Sequence, residues 1–187
     1  MEVTGPGNIR PAVIAIDGMC GAGKSFFAQT LKERLGAAVI HMDDFFLPPE
    51  LRTEARRAEP GGNVDYGRFL TEVIEPLRRM REKGVPEAFS YRRFDCSRMA
   101  FSEEAVLLPA AELFVVEGSY SLREEFCQVY DLKIFLRCSE ETQKARIIER
   151  NGAERYEDFR DLWIPLEEAY FKALHVPERA DLVLGTD

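Results

Sequence analysis

The chain has 187 residues, 45% hydrophobic and 31% charged, with a formal net charge of −8. That length suits one domain with a sizeable core, and the composition is neither disordered nor membrane-like. The negative balance argues against a broad surface for nucleic acid or an anionic membrane and leaves room only for a local basic pocket.

The opening stretch, MEVTGPGNIRP, is polar and lacks the apolar core of a signal peptide. No apolar run approaches the ~18 residues of a spanning helix. PAVIAID (11–17) is a short, partly β-branched apolar run ending at a glycine, the pattern of a buried strand. KSFFAQTLKERLG follows with helical periodicity and stops at Gly36, and AAVIHM (37–42) reads as a second strand.

Residues 48–64 are rich in Pro, Gly, Arg and Glu, and predict a loop or small lobe. Asp65 opens a helix that Gly84 closes, with Phe69, Val73 and Leu77 at spacing four; Pro76 is expected to kink or split it. A hairpin-like excursion fits EAFSYRRFDCSRMAFSEEAVLLP (87–109), and ELFVVEG (112–118) and YDLKIFLRC (130–138) are the third and fourth core strands. Ser139 caps a helix with Glu140 and Glu141 in its first turn, ending near RNG (150–152). A last amphipathic helix, about 154–174, carries Tyr156, Phe159, Leu166, Tyr170 and Leu174 on or near one face, and ADLVLG supplies a final strand. Alternating strands and helices predict an α/β fold: a mostly parallel sheet of about five strands with helices on both faces, in a single domain. Ligands of such folds bind at the carboxyl ends of the strands, where Gly18, Asp43 and Glu117 fall.

GMCGAGKS (18–25) fits G-x-x-x-x-G-K-[ST] in full, between a strand and a helix. Gly18, Gly21, Ala22, Gly23, Lys24, Ser25 and Phe26 form the candidate phosphate cradle of this P-loop NTPase pattern. The glycines let backbone N–H groups turn inward, and the helix N-terminus adds partial positive charge. Lys24 is expected to bridge the β- and γ-phosphates of ATP and Ser25 to ligate Mg²⁺. The base-reading NKxD string of GTPase switches does not occur.

Two acids extend this pattern. Asp43, at the end of the second strand, can accept the proton of an attacking hydroxyl or hold a metal-bound water; the lesser alternative is a strand-end turn residue. Glu117, at the tip of an apolar strand and followed by glycine, is placed to reach Mg²⁺. Phe45 and Phe46 fit either core or a substrate wall. Four cysteines, none at CxxC spacing, and two histidines argue against a zinc site and for a reducing cytoplasm.

IDGMCGAGKS, HMDDFF, NVDYGRF, SYRRFDCSR, VVEGSYSL and YDLKIFLRCSEETQKARIIER, in that order, resemble the uridine kinase and phosphoribulokinase family of P-loop kinases over roughly residues 11–185. The resemblance implies ATP- and Mg²⁺-dependent phosphorylation of a small-molecule hydroxyl, with a nucleoside the favoured acceptor. It makes Asp43 the general base and a metal neighbour, with Phe45 and Phe46 excluding water. It assigns Asp65, Tyr91, Cys96 and Arg98 to the acceptor pocket within an excursion at about 48–110, although Asp65 is also a good helix N-cap. It gives Arg146 and Arg150 to a lid at about 146–155 that stabilises the transferring phosphate. Cys96 stands where uridine kinases carry histidine, and the lid is short. A kinase for another hydroxyl acceptor such as pantothenate, a monophosphate kinase using the clusters LRTEARR (51–57) and YRRFDCSR (91–98), and a regulator without turnover are the alternatives. Homo-oligomerisation stays open.

Overall fold

The structure is a computed structural model, and residues 10–187 are described. Most of the segment read as lacking a signal peptide, residues 1–9, lies outside the described residues.

Among the described residues seven strands form: β1 (Ala12–Gly18), β2 (Ala38–His41), β3 (Phe89–Asp95), β4 (Ala100–Leu108), β5 (Leu113–Glu117), β6 (Leu132–Arg137) and β7 (Leu182–Gly185). Five of them make one sheet in the order β2-β5-β1-β6-β7, and all its pairings are parallel. The chain thus folds as the α/β layer architecture expected from its alternating pattern. Val13, Ala15 and Ile16 of β1 and Phe114, Val115 and Val116 of β5 are fully buried, as central strands covered on both faces must be. Helices α1 (Lys24–Leu35), α2 (Glu54–Ala58), α3 (Tyr66–Phe69), α4 (Glu75–Lys83), α5 (Glu124–Cys127), α6 (Glu140–Asn151), α7 (Ala153–Asp158), α8 (Ile164–Ala173) and α9 (Val176–Arg179) complete the elements. β3 and β4 form a separate antiparallel hairpin in the expected excursion.

Helix ends follow the residues read for them. Gly36 adopts a left-handed conformation and its N–H reaches the Lys32 carbonyl; Gly84 does the same with Met80. The Ser139 side chain accepts from the Thr142 N–H at the start of α6.

Both long helical stretches contain a π-helical turn just before a proline. Leu70–Ile74 joins α3 to α4 ahead of Pro76, and Phe159–Trp163 joins α7 to α8 ahead of Pro165. A proline has no N–H to give and its ring collides with the carbonyl four residues back, so the chain widens locally instead of breaking. The first of these was expected as a kink at Pro76; the second was not foreseen. Along α8 the fully turned-in positions are Glu167 and Tyr170, whereas Leu166 is only half-buried, so an acid occupies a place the periodicity had left to an apolar residue.

The main core packs Phe45, Phe69, Val73, Leu77 and Phe126 against one face of the sheet. Phe69 meets Phe45 edge-on at 5.1 Å and Phe126 at 4.9 Å. Such pairs contribute about 0.5–1.5 kcal/mol each beyond area burial. This cluster anchors both the turn after β2 and the helix after the lobe, which bounds the open end of the sheet.

Candidate active site

The carboxyl ends of β1, β2 and β5 open into one cleft of about 940 Å³ that extends from the phosphate loop to the β3–β4 hairpin. Its phosphate end begins at Gly18. There φ is +138°, and a Cβ would sit 2.1 Å from the Leu136 carbonyl oxygen of the neighbouring strand, so only glycine lets β1 leave the sheet here. Gly23, at φ +87°, turns the chain into α1 in a left-handed conformation and aims the first amides of the helix at the cleft. Cys20, Gly21, Gly23, Lys24, Ser25 and Phe26 line this end. Gly18 and Ala22 lie behind it as framework.

Lys24 is folded back, its Nζ donating to the carbonyls of Gly18 at 2.7 Å and Met19 at 3.0 Å. Ser25 Oγ donates to both carboxylate oxygens of Glu117 at 3.2 Å. Glu117 is only 4% exposed and level with His41 across the β2–β5 pairing; His41 Nδ1 lies 2.5 Å from its Oε1. This bond, outweighing burial, raises the His41 pKa above its ordinary value. A hydroxyl and a carboxylate side by side suit a hard cation that takes its remaining ligands from water and phosphates. Ser25 and Glu117 are therefore the residues that would hold Mg²⁺.

β2 ends at His41, and residues Met42–Phe45 form a 3₁₀ turn that splits the paired acids. Asp43 is exposed to the cleft, yet protein surrounds it on its other sides. This crowding and the nearby negative charge of Glu117 push its pKa up to about 6, against the pull of Lys24. Asp44 is buried: Tyr91 donates its hydroxyl to Oδ2 at 2.7 Å, and Arg93 Nε lies 3.1 Å from Oδ1. Burial raises the pKa of Asp44, with Tyr91 and Arg93 opposing it. The two phenylalanines also divide. Phe45 is core, while Phe46 lines the cleft with Trp163 6.2 Å away.

Of the four acceptor-side residues read from the sequence, Cys96 alone lines the cleft. Asp65 caps α3 through the Arg68 N–H at 3.1 Å. Tyr91 is 2% exposed and acts on Asp44 from beneath the cleft floor. Arg98 is exposed in the turn between β3 and β4, its N–H bound to Asp95. At the other margin Arg146 and Arg150 both line the cleft. Arg146 donates to the Gly21 carbonyl at 3.2 Å and the Thr186 hydroxyl at 3.1 Å, tying α6 to the phosphate loop and to the end of β7. The Arg150 guanidinium stands 5.9 Å over the Phe159 ring.

Two buried acids escaped the sequence reading. Asp17, fully buried, accepts from the N–H groups of Gly18, Tyr120 and Leu122 and from the Tyr170 hydroxyl. Desolvation lifts its pKa to about 6 despite these donors. It pins the segment after β5, where Tyr120 holds a left-handed φ of +76° that a bulky residue rarely adopts. Glu167 takes the Cys20 N–H at 2.8 Å and the Ser119 hydroxyl at 2.6 Å, joining α8 to the phosphate loop. The one available sign for Asp17 was an acid at the end of an otherwise apolar run. Arg52 and Arg93, which also line the cleft, were hidden inside arginine clusters whose members the sequence does not rank.

The fold is that of the P-loop kinases. It superposes on a candidate fructose transport system kinase from Silicibacter sp. TM1040 with a TM-score of 0.71, at 22% identity over 98% of this chain and 93% of that one. A "possible uridine kinase" from Bacillus stearothermophilus gives 0.66 at 21% identity, covering 93% and 88%. In sequence, the chain is 29% identical over 160 residues to a "probable thymidylate kinase" of Methanocorpusculum labreanum, 78% of this chain and 75% of that protein. No protein-family model matches the chain.

Proposed function

We propose that the chain is a small-molecule kinase that uses ATP and Mg²⁺ to phosphorylate a hydroxyl. The observation that carries this is the position of Asp43: a carboxylate with a pKa near 6, open to the same cleft as the phosphate loop and the Ser25–Glu117 pair.

Phosphoryl transfer needs positioning and charge stabilisation more than covalent chemistry from the protein. The amides of residues 21–26 and Lys24 hold the phosphates, Lys24 exchanging its two carbonyl partners for phosphate oxygens. Mg²⁺, held by Ser25 and Glu117, supplies neutralising charge when bound. Asp43 takes the proton of the acceptor hydroxyl as its oxygen bonds to the γ-phosphorus. The bond from that phosphorus to the β–γ bridging oxygen breaks, and ADP leaves with the electron pair. Arg146 and Arg150 stabilise charge on the transferring group. Phe46 and Trp163 keep water from competing as acceptor.

A nucleoside heads the acceptor panel because of the motif resemblance and the uridine kinase likeness, and a nucleoside monophosphate joins it from the thymidylate kinase relative. The test is ADP release with ATP and Mg²⁺ against uridine, cytidine, their monophosphates, thymidine monophosphate, pantothenate and simple sugars. Stimulation by one compound, with its phosphorylated product recovered, is the expected result. ATP binding without transfer to any of them would instead favour a nucleotide-binding regulator.

A further inference from the structure

At the hairpin end of the cleft, away from the phosphate loop, the carboxylates of Asp44 and Asp95 are already committed. Asp44 is held by Tyr91 and Arg93. Asp95 accepts from the N–H and hydroxyl of Ser97 and from the N–H of Arg98, closing its own turn. These two hairpin-side acids are thus spent on the protein itself. The guanidinium groups of Arg52 and Arg93 are each engaged through Nε alone, by the Leu47 carbonyl and by Asp44.

Arg52 is partly buried. Its Nε donates to the Leu47 carbonyl at 2.5 Å, and its guanidinium lies 5.7 Å over the Phe94 ring. Among the described residues no carboxylate pairs with it, and the Cys96 thiol is the polar side chain beside it. Cys96 stands close enough for the Arg52 charge to oppose the burial that raises the thiol pKa, which places Arg52 on the hairpin side of the cleft. Arg93 sits where the hairpin register slips: Arg92 lies opposite Ala105, but Phe94 lies opposite Phe101. Such irregularities re-aim side chains. Here Arg92 turns onto the Phe101 ring, while Arg93 enters the cleft with 55% of its side chain exposed and only Nε engaged. Two planar guanidinium groups, one fixed by a carbonyl and an aromatic face and one by a buried acid, suit an oxyanion.

Resting on the kinase reading above but not on its nucleoside acceptor, we infer that the acceptor is anionic, carrying a carboxylate or phosphate ester that Arg52 and Arg93 clamp while its hydroxyl faces Asp43, which puts a nucleoside monophosphate or a hydroxy acid ahead of a neutral nucleoside. Phe46 and Phe94 supply the apolar walls beside that group.

Calorimetric titration of the full chain, with Mg²⁺ and a non-hydrolysable ATP analogue present, tests this with matched probes. These are D-gluconate against glucose, ribose 5-phosphate against ribose, and thymidine 5′-monophosphate against thymidine. At least one charged probe is expected to bind tenfold or more tightly than its neutral partner, and the pair that responds tells carboxylate from phosphate. Arg52→Gln and Arg93→Gln should each weaken that probe about tenfold, Arg52→Lys less, with affinity for the ATP analogue unchanged. Neutral partners binding as tightly, no charged probe binding, charged-probe affinity surviving both substitutions, or loss of ATP-analogue affinity in Arg52→Gln would each overturn the inference. Binding is read without turnover. A charged probe that binds through both arginines but is never phosphorylated would therefore count against the kinase reading and leave the anion clamp standing.

Discussion

The two ends of the cleft are built by opposite means. The phosphate end comes from one continuous segment, residues 18–26, held between β1 and α1, with Glu117 of β5 beside Ser25 and with Arg146 and Glu167 bracing the loop. The hairpin end is assembled from a turn after β2, the lobe at Arg52, the β3–β4 hairpin and the π-helical turn at Trp163. A contiguous loop forms its geometry locally, because glycines and a helix N-terminus suffice to turn amides inward. A composite site exists only when distant elements pack. The first kind suits a phosphate group common to many reactions, and the second suits an acceptor that differs from protein to protein.

The sharpest way to test this contrast is at Asp43, where the ends meet. Asp43→Asn is expected to lower kcat by roughly 10²- to 10⁴-fold while ATP binding persists; steady-state kinetics with nucleotide titration would show it. A near-wild-type kcat would remove the base from the mechanism.

Asp17 supports both ends from below, since it ties the phosphate loop to the segment after β5. Asparagine offers one acceptor oxygen where the carboxylate serves four donors. Asp17→Asn should cost about 3 kcal/mol of stability, the sum of one or two unsatisfied buried donors, read from denaturant midpoints. The folded pKa of about 6 lies above the unfolded value. Proton linkage adds a second contribution that is fully present below the unfolded pKa and is lost as pH rises through about 6, so the gap between wild type and variant should widen towards pH 4.

The pH dependence of kcat/KM offers a smaller effect. Asp43 must be ionised to accept a proton, so the rate should fall about tenfold per unit below pH 6, near its raised pKa. Asp43→Asn should lack that limb. The smallest effect belongs to the hairpin end alone. Tyr91→Phe removes the hydroxyl that holds Asp44 and should cost about 1 kcal/mol in stability. It should raise the acceptor KM more than the ATP KM, because Asp44 then ceases to anchor Arg93. Equal changes in both would show that the two ends are not separable.

The residues differ in how far they could be read in advance. Lys24 and Ser25 are fixed by a motif, and Glu117 by an acid at the tip of an apolar strand. Phe69, Val73 and Leu77 announced their burial by spacing alone. Asp65 carried two readings, and the capping bond to Arg68 is the one that the fold displays. Tyr91 stood in a motif yet serves beneath the cleft floor. Arg93 could not be told from Arg92, because only the slipped register of the hairpin separates them.

By itself the sequence determined the order of elements, their boundaries at glycine, serine and proline, the parallel sheet and the phosphate loop. Each of these depends on neighbours within a turn or a strand, where periodicity and side-chain stereochemistry act directly. The tertiary structure alone decided which acids converge. Ser25 meets Glu117 across 92 residues, Tyr170 meets Asp17 across 153, and Glu167 reaches the Cys20 amide across 147. No local pattern encodes such pairs, because a buried carboxylate is stabilised only by donors that packing delivers to it.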